Sequence, residues 1–541
     1  MNAVEQYLER RFRPIVLLLA ASYCAIQLVY IAHLPLVMDE FDGAYEAFRL
    51  RSSLPYRDFL PYKTTLGYYI QTAGSFGWPS VWSRIMGIKF EMAAINTVML
   101  AAAALFLSRS IRKPAVVAAL VPLIACSAFL ERSSELRVDM LTAWAGMWSL
   151  LFLLRRRYLL AGAVAGLSFL ISQKGAFYLL AGAVALLGEF VWTAERRENV
   201  VRHGLQFVAS ATAVIGAYVA IWGACTSLHT LVSATFLGGA KAALVSGYDI
   251  RRRFWAQFLR RDFMFCLLTA VALWRTASIR SIAICAYAVA VFVQAMLYTQ
   301  PWPYFFVLIL PTAMVLQAVA FDTTRWKPAI AAVVLVLAVL YPLHRVFLVL
   351  GRSHDYQRYN VELASALMAS GERYLAGDDI IHDHEQYPTP LARLDGSVIN
   401  DLRTMTAAQL VPIQEALEQD PPKLVINSYR ISGLPRVLSS SIERDYARIS
   451  ASVFLYAPMA NGGEIHLAFP GRYAIDQKTP DDVEIDGTRY HTGTRVELAS
   501  GVHRVIAAQP VRLRLMPAAL EDHLDPLFVE EQEFYPHVYD Y

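Results

Sequence analysis

From residue 14 to residue 349, apolar runs alternate with short polar joints. The runs are about 17–25 residues long, the length a helix needs to cross a bilayer. They predict about eleven transmembrane helices, near 14–33, 85–107, 114–130, 139–154, 158–173, 175–192, 204–225, 263–275, 281–298, 303–321 and 328–349. Between the first two runs lies a long amphipathic stretch, 34–84. Ala44, Tyr45, Phe48 and Leu50 predict one helix lying on the membrane surface, and Leu66, Tyr68, Tyr69 and Ile70 a second. Trp78 and Trp82 suit the interfacial aromatic belt. Two prolines in Tyr298-Thr299-Gln300-Pro301-Trp302-Pro303-Tyr304-Phe305 rule out a regular helix there.

Past residue 350 the pattern changes. Residues 352–450 mix helical and strand periods, with Lys423-Leu424-Val425-Ile426-Asn427 as an apolar strand. Residues 451–541 are β-rich: 471–475, 483–487, 496–498 and 503–506 alternate and are punctuated by glycine, which predicts a small β-sandwich. The expected organisation is therefore a membrane domain over 1–350, with surface helices at 34–84, and a soluble domain over 351–541.

Charge sets the expected topology. Arg10, Arg11 and Arg13 precede the first run with no small-residue cleavage site after it, so that run reads as a retained anchor with a cytoplasmic N-terminus. Basic joints at Arg109/Arg112/Lys113, Arg155–Arg157, Arg196/Arg197/Arg202, Arg275/Arg280 and Arg325/Lys327 fall on the same side. An odd number of spans places 351–541 outside, in the periplasm if the membrane is a bacterial inner membrane. Composition agrees with a multi-pass membrane protein: 56% of residues are hydrophobic, 17% are charged and the mean hydropathy is +0.38. The five cysteines sit in or beside apolar runs without metal-site spacing, so neither a disulfide framework nor a structural zinc is expected. A cysteine-free outward domain points to a bacterium. Membrane lipids are the expected surroundings, and no nucleic-acid partner is expected.

Polar residues then gather on the outward side. Asp39 and Glu40 sit at the mouth of the first run, in Met38-Asp39-Glu40-Phe41-Asp42-Gly43-Ala44-Tyr45. Pro55-Tyr56-Arg57-Asp58-Phe59-Leu60-Pro61-Tyr62-Lys63 follows. Further on come Arg137-Val138-Asp139, Lys174 between two runs, and Arg251, Arg252 and Arg253 in a basic loop that breaks the positive-inside pattern. Carboxylates beside basic and aromatic side chains at a membrane surface suit a sugar carried on a lipid phosphate. A carboxylate takes the proton of an attacking hydroxyl, while cations rather than an acid stabilise a departing phosphate.

Taken as a set, Asp39-Glu40 after the first run, Tyr62-Lys63 ahead of Leu66-Gly67-Tyr68-Tyr69, and Arg137-Val138-Asp139 opening the fourth run resemble the GT-C superfamily, in particular the protein O-mannosyltransferases and the lipid A aminoarabinose transferases. The resemblance covers roughly residues 10–350. It implies a polyprenyl-phosphate-sugar-dependent, inverting glycosyltransferase with its active site facing the periplasm or lumen and a cell-envelope glycan, lipid or protein as acceptor. It also implies roles: Asp39, with Glu40 beside it, as catalytic base; Asp139 shaping the acceptor or metal site; Lys63 and Arg57 on the donor phosphate, to which the chain's own outward charges add Lys174 and Arg251–Arg253. Tyr62, Tyr69, Arg137, Gln300 and Tyr304 would line the cavity. Asp39, Glu40 and Asp139 are also of a kind that binds a divalent metal, which paired acids alone do not establish. The chain departs from the lipid A enzymes in having fewer spans and a different C-terminal domain.

Plainer alternatives stand beside these roles. Asp39 and Glu40 suit a solvated helix end, Asp139 a structural partner for Arg137 or Arg132, and Lys63 a side chain snorkelling from an interfacial helix. Arg251–Arg253 suit contact with anionic lipid. His382 and His384, in His-Asp-His-Glu, resemble metal ligands only loosely, through a strand that would put both on one face, and surface polarity is the favoured reading. As a whole, a transporter or flippase of lipid-linked sugars is the alternative to an enzyme. Transporters place charges near mid-membrane and often repeat internally, and neither trait is evident here.

Overall fold

The computed structural model describes residues 3–61, 63–192, 197–237, 249–278, 282–323, 336, 339–340, 343–477, 481–528, 530 and 533–535. The chain divides into two compact units. One comprises residues 1–34, 46–78 and 84–352, the other 35–45, 79–83 and 353–541. The stretch 34–84 is thus shared between them.

The first unit is helical. Phe12–His33, Val81–Leu107, Gln173–Trp192 and Glu198–Gly223 are long and apolar enough to cross a membrane, and Lys113–Ala125, Asp139–Leu154, Tyr158–Ile171, Phe263–Ala277 and Ile282–Leu297 are shorter apolar helices. Their positions follow the predicted runs. The last predicted run, 328–349, lies largely outside the described residues. Leu66–Thr72 forms a helix where the apolar spacing called for one. The proline-bearing joint after Leu297 has no regular helix until the 3-10 turn Pro303–Leu308.

The third run ends sooner than expected. Lys113–Ala125 stops at Cys126, and a separate helix Ser127–Arg132 begins. The break is stabilised by Asp262, whose carboxylate accepts from Ser127 N at 2.6 Å, Ser127 Oγ at 2.8 Å and Ala128 N at 3.2 Å. Donors left open at the start of a helix are satisfied by an acid from elsewhere in the chain. Helices Tyr158–Ile171 and Arg197–Gly223 approach closely at Gly162, where a Cβ would lie 2.0 Å from Phe207 O. Small residues are what let apolar helices approach this way when no hydrophobic effect drives them together.

The second unit mixes helices and sheets. Strands β1 (Arg373–Leu375), β2 (Glu385–Gln386), β3 (Leu424–Ile426), β4 (Tyr446–Arg448) and β5 (Val453–Tyr456) form one sheet in the order β2-β1-β3-β5-β4. Its β1–β2 and β1–β3 pairings are parallel, the others antiparallel. All three residues of β3 are buried, as expected of a central strand with both faces covered.

Next come β6 (Met459–Ala460), β7 (Gly463–Leu467), β8 (Gly471–Asp476), β9 (Asp482–Ile485), β10 (Thr488–His491), β11 (Arg495–Leu498), β12 (Gly501–Ile506) and β13 (Val511–Leu515). They form two four-stranded sheets, β10-β9-β12-β7 and β11-β8-β13-β6, antiparallel throughout. In β13, Val511, Leu513 and Leu515 are buried while Arg512 and Arg514 are only partly covered, the period-two alternation that the sequence displays.

Candidate functional site

Asp139 is the first residue of helix Asp139–Leu154 and is buried. The turn before it is set locally: Arg137 N donates to Glu135 O at 2.7 Å, and Thr142 holds Val138 O through its amide and its hydroxyl. A carboxylate in the first helical turn meets the positive end of the helix dipole.

Three cations converge on this carboxylate. Lys174 Nζ donates to Asp139 Oδ1 at 2.8 Å, Arg137 Nε donates to Oδ2 at 3.1 Å, and Lys63 Nζ lies 3.8 Å from Oδ2. Their side chains retain 16%, 7% and 13% of their full exposure, so the cluster is drawn well out of solvent while the two lysines stay partly accessible. Aromatic faces complete it. The Arg137 guanidinium lies 3.1 Å from the centroid of the Tyr304 ring, and Lys174 Nζ lies 5.2 Å from Tyr304 and 5.5 Å from Phe305. Cations over ring faces are stabilised by the quadrupole, more so when desolvated.

The backbone explains how the residues meet. Lys174 occupies the 3-10 turn Gln173–Gly175, where the Ser172 side chain accepts from Lys174 N. Gly175 must be small: a Cβ there would lie 2.2 Å from the carbonyl carbon of Ser168. The segment carrying Lys63 is tied at its next two residues. Thr64 Oγ1 donates to Phe169 O at 3.1 Å, and the Tyr218 hydroxyl meets Thr65 N at 3.2 Å and Thr65 Oγ1 at 2.9 Å. Gly67 then lets its helix lie against Val138, one residue before Asp139, with a would-be Cβ 2.5 Å from Val138 Cγ1.

The structure therefore brings Lys63, Arg137, Asp139, Lys174 and Tyr304 together. Asp139 is the partner of Arg137, one of its plainer readings, and at the same time the hub of the cationic group. Other named residues lie elsewhere. Arg57 pairs with Asp58 at 2.8 Å on the surface, and Arg251 pairs with Asp249 at 2.6 Å. Arg252 and Arg253 are exposed on helix Arg251–Arg261. Tyr69 stacks on Trp222 with ring centroids 6.0 Å apart. Gln300 is half-buried, its carbonyl accepting from Trp302 N at 2.9 Å. Tyr62 lies outside the described residues.

Asp39 and Glu40 open helix Met38–Arg49, in the part of it that belongs to the second unit. Asp39 is half-buried. Glu40 is buried and accepts from Val37 N at 3.1 Å, closing the first turn of its own helix. Among the described residues no group of three or more His, Cys, Asp or Glu is gathered as for a metal ion. The surface reading of the histidines fails for His382, which is buried in a turn rather than on a strand; His384 contacts Asp383 at 2.9 Å. Trp82 likewise is buried, 5.1 Å from the His354 ring, instead of facing lipid.

Sequence reasoning did not connect Glu131 to its partners. It is buried and bonded to Arg261 and to Arg345, the latter at 3.1 Å. The charge density of Glu131–Asp139 was the available signal, but Arg261 and Arg345 are far away in sequence.

Solved structures settle the architecture. ArnT from Cupriavidus metallidurans bound to undecaprenyl phosphate is similar to this chain with a TM-score of 0.56 at 12% identity, covering 81% of this chain and 97% of that one. The same protein in the apo state gives 0.55 at 13% identity with the same coverage. The chain has the GT-C fold. The fold takes in the apolar helices, four of them among the described residues long and apolar enough to cross a membrane, and the C-terminal sheet region. A family model described as a domain of unknown function (DUF7056) matches residues 402–455, within the second unit. No curated protein sequence matches the chain.

Proposed function

We propose that this GT-C protein is an inverting glycosyltransferase. It moves a sugar from a polyprenyl-phosphate donor to a hydroxyl of a cell-envelope acceptor, on the periplasmic side of the inner membrane. The observation that carries the reading is the convergence of Lys63, Arg137 and Lys174 on buried Asp139. It occurs in a fold shared with ArnT, a lipid A aminoarabinose transferase solved bound to undecaprenyl phosphate.

In this reading Asp139 holds the three cations in register, and they receive the donor phosphate. The acceptor oxygen attacks the anomeric carbon from the face opposite the phosphate while Asp39 takes its proton. The bond from the anomeric carbon to the phosphate oxygen breaks, and its electron pair leaves with the polyprenyl phosphate. Lys63, Arg137 and Lys174 meet the charge that develops there. Preorganised cations in a water-poor site stabilise such charge far better than they would in bulk water. Arg57 and Arg251–Arg253, at the surface, serve the approach of anionic lipid.

The test is transfer by purified protein in detergent, from a panel of polyprenyl-phosphate sugars to cell-envelope extract. Wild type should transfer from at least one donor, with the product's anomeric configuration inverted. Asp39→Asn, folded as judged by melting, should lose at least about 100-fold in rate, the scale of a lost general base. Equal transfer by both proteins removes Asp39 from the mechanism, and retention of configuration removes the single-displacement scheme.

A further inference from the structure

The helix that bears Asp39 is held, at its first two turns, by groups from the second half of the chain, all within the second unit. Just before the helix, Leu36 N donates to Gln357 Oε1 at 2.8 Å and Gln357 Nε2 donates back to Leu36 O at 3.0 Å. Met38 Sδ accepts from Arg430 Nη2 at 2.9 Å, and Arg430 in turn donates to Leu394 O. Phe41 is fully buried, its ring 5.4 Å from Phe534 and 5.9 Å from Tyr535.

The polar side of the same turn is unusual. Asp42 is 5% exposed and Asp378 is 1% exposed, and their carboxyls face each other. Arg393 donates to Asp42 Oδ2. Tyr535 Oη donates to Asp378 Oδ2 at 2.8 Å, and Asp379 N donates to Asp378 Oδ1 at 3.1 Å. Asp42 Oδ1 is buried and receives no N–H or hydroxyl donor among the described residues. Two ionised carboxylates in this cage would repel each other. One proton between them removes the repulsion and supplies a donor between the two carboxyls. Burial, then the neighbouring Asp42, raises the Asp378 carboxyl well above the ordinary carboxylate range. The titratable groups facing the pair are Asp379, Tyr374, Tyr429 and Tyr535, with Arg393 on Asp42 and Arg430 beside Tyr429.

We propose that Asp378 is a positioning residue for Asp39: it shares a proton with Asp42 and so fixes the rotation of the helix on which Asp39 lies. Asp39 and Asp42 are three residues apart and therefore neighbours on one helical face. Whatever fixes the direction of Asp42 fixes that of Asp39. Arg430 and Tyr429, inside the segment matched by the family model of unknown function, belong to the same clamp. This assigns that segment a part in orienting the acidic helix. The inference rests on the proposed role of Asp39 as base.

The experiment compares full-length wild type with Asp378→Ala, Asp378→Asn and Asp39→Asn. The measurements are donor KM and kcat between pH 6 and 9, and hydrogen exchange of the amides of residues 38–45. The alanine variant should lose at least tenfold in kcat with donor KM within twofold, and exchange over 38–45 should quicken. The asparagine variant, shaped like a protonated carboxyl and able to donate to Asp42, should recover most of that kcat and restore slow exchange. Wild-type kcat should fall on the alkaline side as the shared proton leaves, and in Asp378→Asn that fall should be absent.

Stability has a matching sign. An acid whose folded pKa is raised costs stability as pH rises from its unfolded value, about 3.9, toward the folded one. Asp378→Asn should therefore melt higher than wild type at pH 8 and by a smaller margin at pH 5. Should Asp378→Ala fail to fold, the asparagine profile decides alone, and an unchanged alkaline fall overturns the proposal. An inactive Asp39→Asn beside a wild-type-like Asp378→Ala also overturns it. If Asp39→Asn is fully active, the base assignment is what falls. Exchange over 38–45 then still reports the clamp, and equal exchange in Asp378→Ala and wild type would overturn it.

Discussion

Asp139 combines two demands at one residue. It neutralises cations that would otherwise repel one another, and it fixes where they point. Removing one partner of a buried ionic group typically costs about 3–5 kcal/mol, because the charges left behind stay desolvated. Asp139→Ala should therefore lower the melting temperature markedly and, under the proposed donor-phosphate role of the cluster, abolish binding of a polyprenyl phosphate. Lys174→Ala should weaken that binding about tenfold or more while changing the melting temperature far less. Titration of the detergent-solubilised protein with the lipid, alongside a melt, separates the two effects. Much of this was readable in the chain: Asp139 and Arg137 are two positions apart at the start of an apolar run, and Lys174 stands alone between two others. What the sequence could not reveal is that Lys63 and Lys174 share one carboxylate with Arg137. That depends on close approaches at Gly67 and Gly175, which are properties of the packed backbone.

At the scale of elements, the segment 63–65 is the piece most dependent on its surroundings. It has no regular structure and is held by Phe169 and by the Tyr218 hydroxyl. That hydroxyl also meets Tyr56 Oη at 2.7 Å, within an aromatic group that includes Trp222. Tyr218→Phe keeps the ring and deletes the tie, leaving Thr65 N and Thr65 Oγ1 without that partner at a cost of about 1–3 kcal/mol. Its expected signature is a several-fold rise in donor KM with kcat nearly intact, checked by steady-state transfer kinetics. Periodicity located the flanking helices because each buries one face. It missed the break at Cys126, since an apolar run looks continuous whether or not an acid such as Asp262, distant in sequence, caps a new helix inside it. His382 misled for a related reason: a polar tetrapeptide reads as surface unless its tertiary neighbours are known.

Across the whole molecule, the change of pattern near residue 350 anticipated the mixed sheet and the two antiparallel sheets, because strand and helix periods differ so plainly. That 35–45 and 79–83 join the later residues left no trace in periodicity. Gln357 is the simplest probe of that union. It satisfies both the N–H and the C=O of buried Leu36, so Gln357→Leu strands two backbone groups. Hydrogen exchange should quicken over residues 36–45 and transfer should fall, while the sheets of the later half keep their protection. Uniform loss of protection across 353–541 would show instead that Gln357 holds up the domain as a whole.

The reciprocal pair between Leu36 and Gln357 closes over 321 residues. During synthesis the first apolar helix emerges long before the residues that hold the acidic helix exist. At roughly 5–20 residues per second, Asp39 waits tens of seconds at the ribosome for its clamp. The acidic helix is thus among the first elements made and among the last to be fixed, so under the proposed role of Asp39 a prematurely terminated chain should show no transfer.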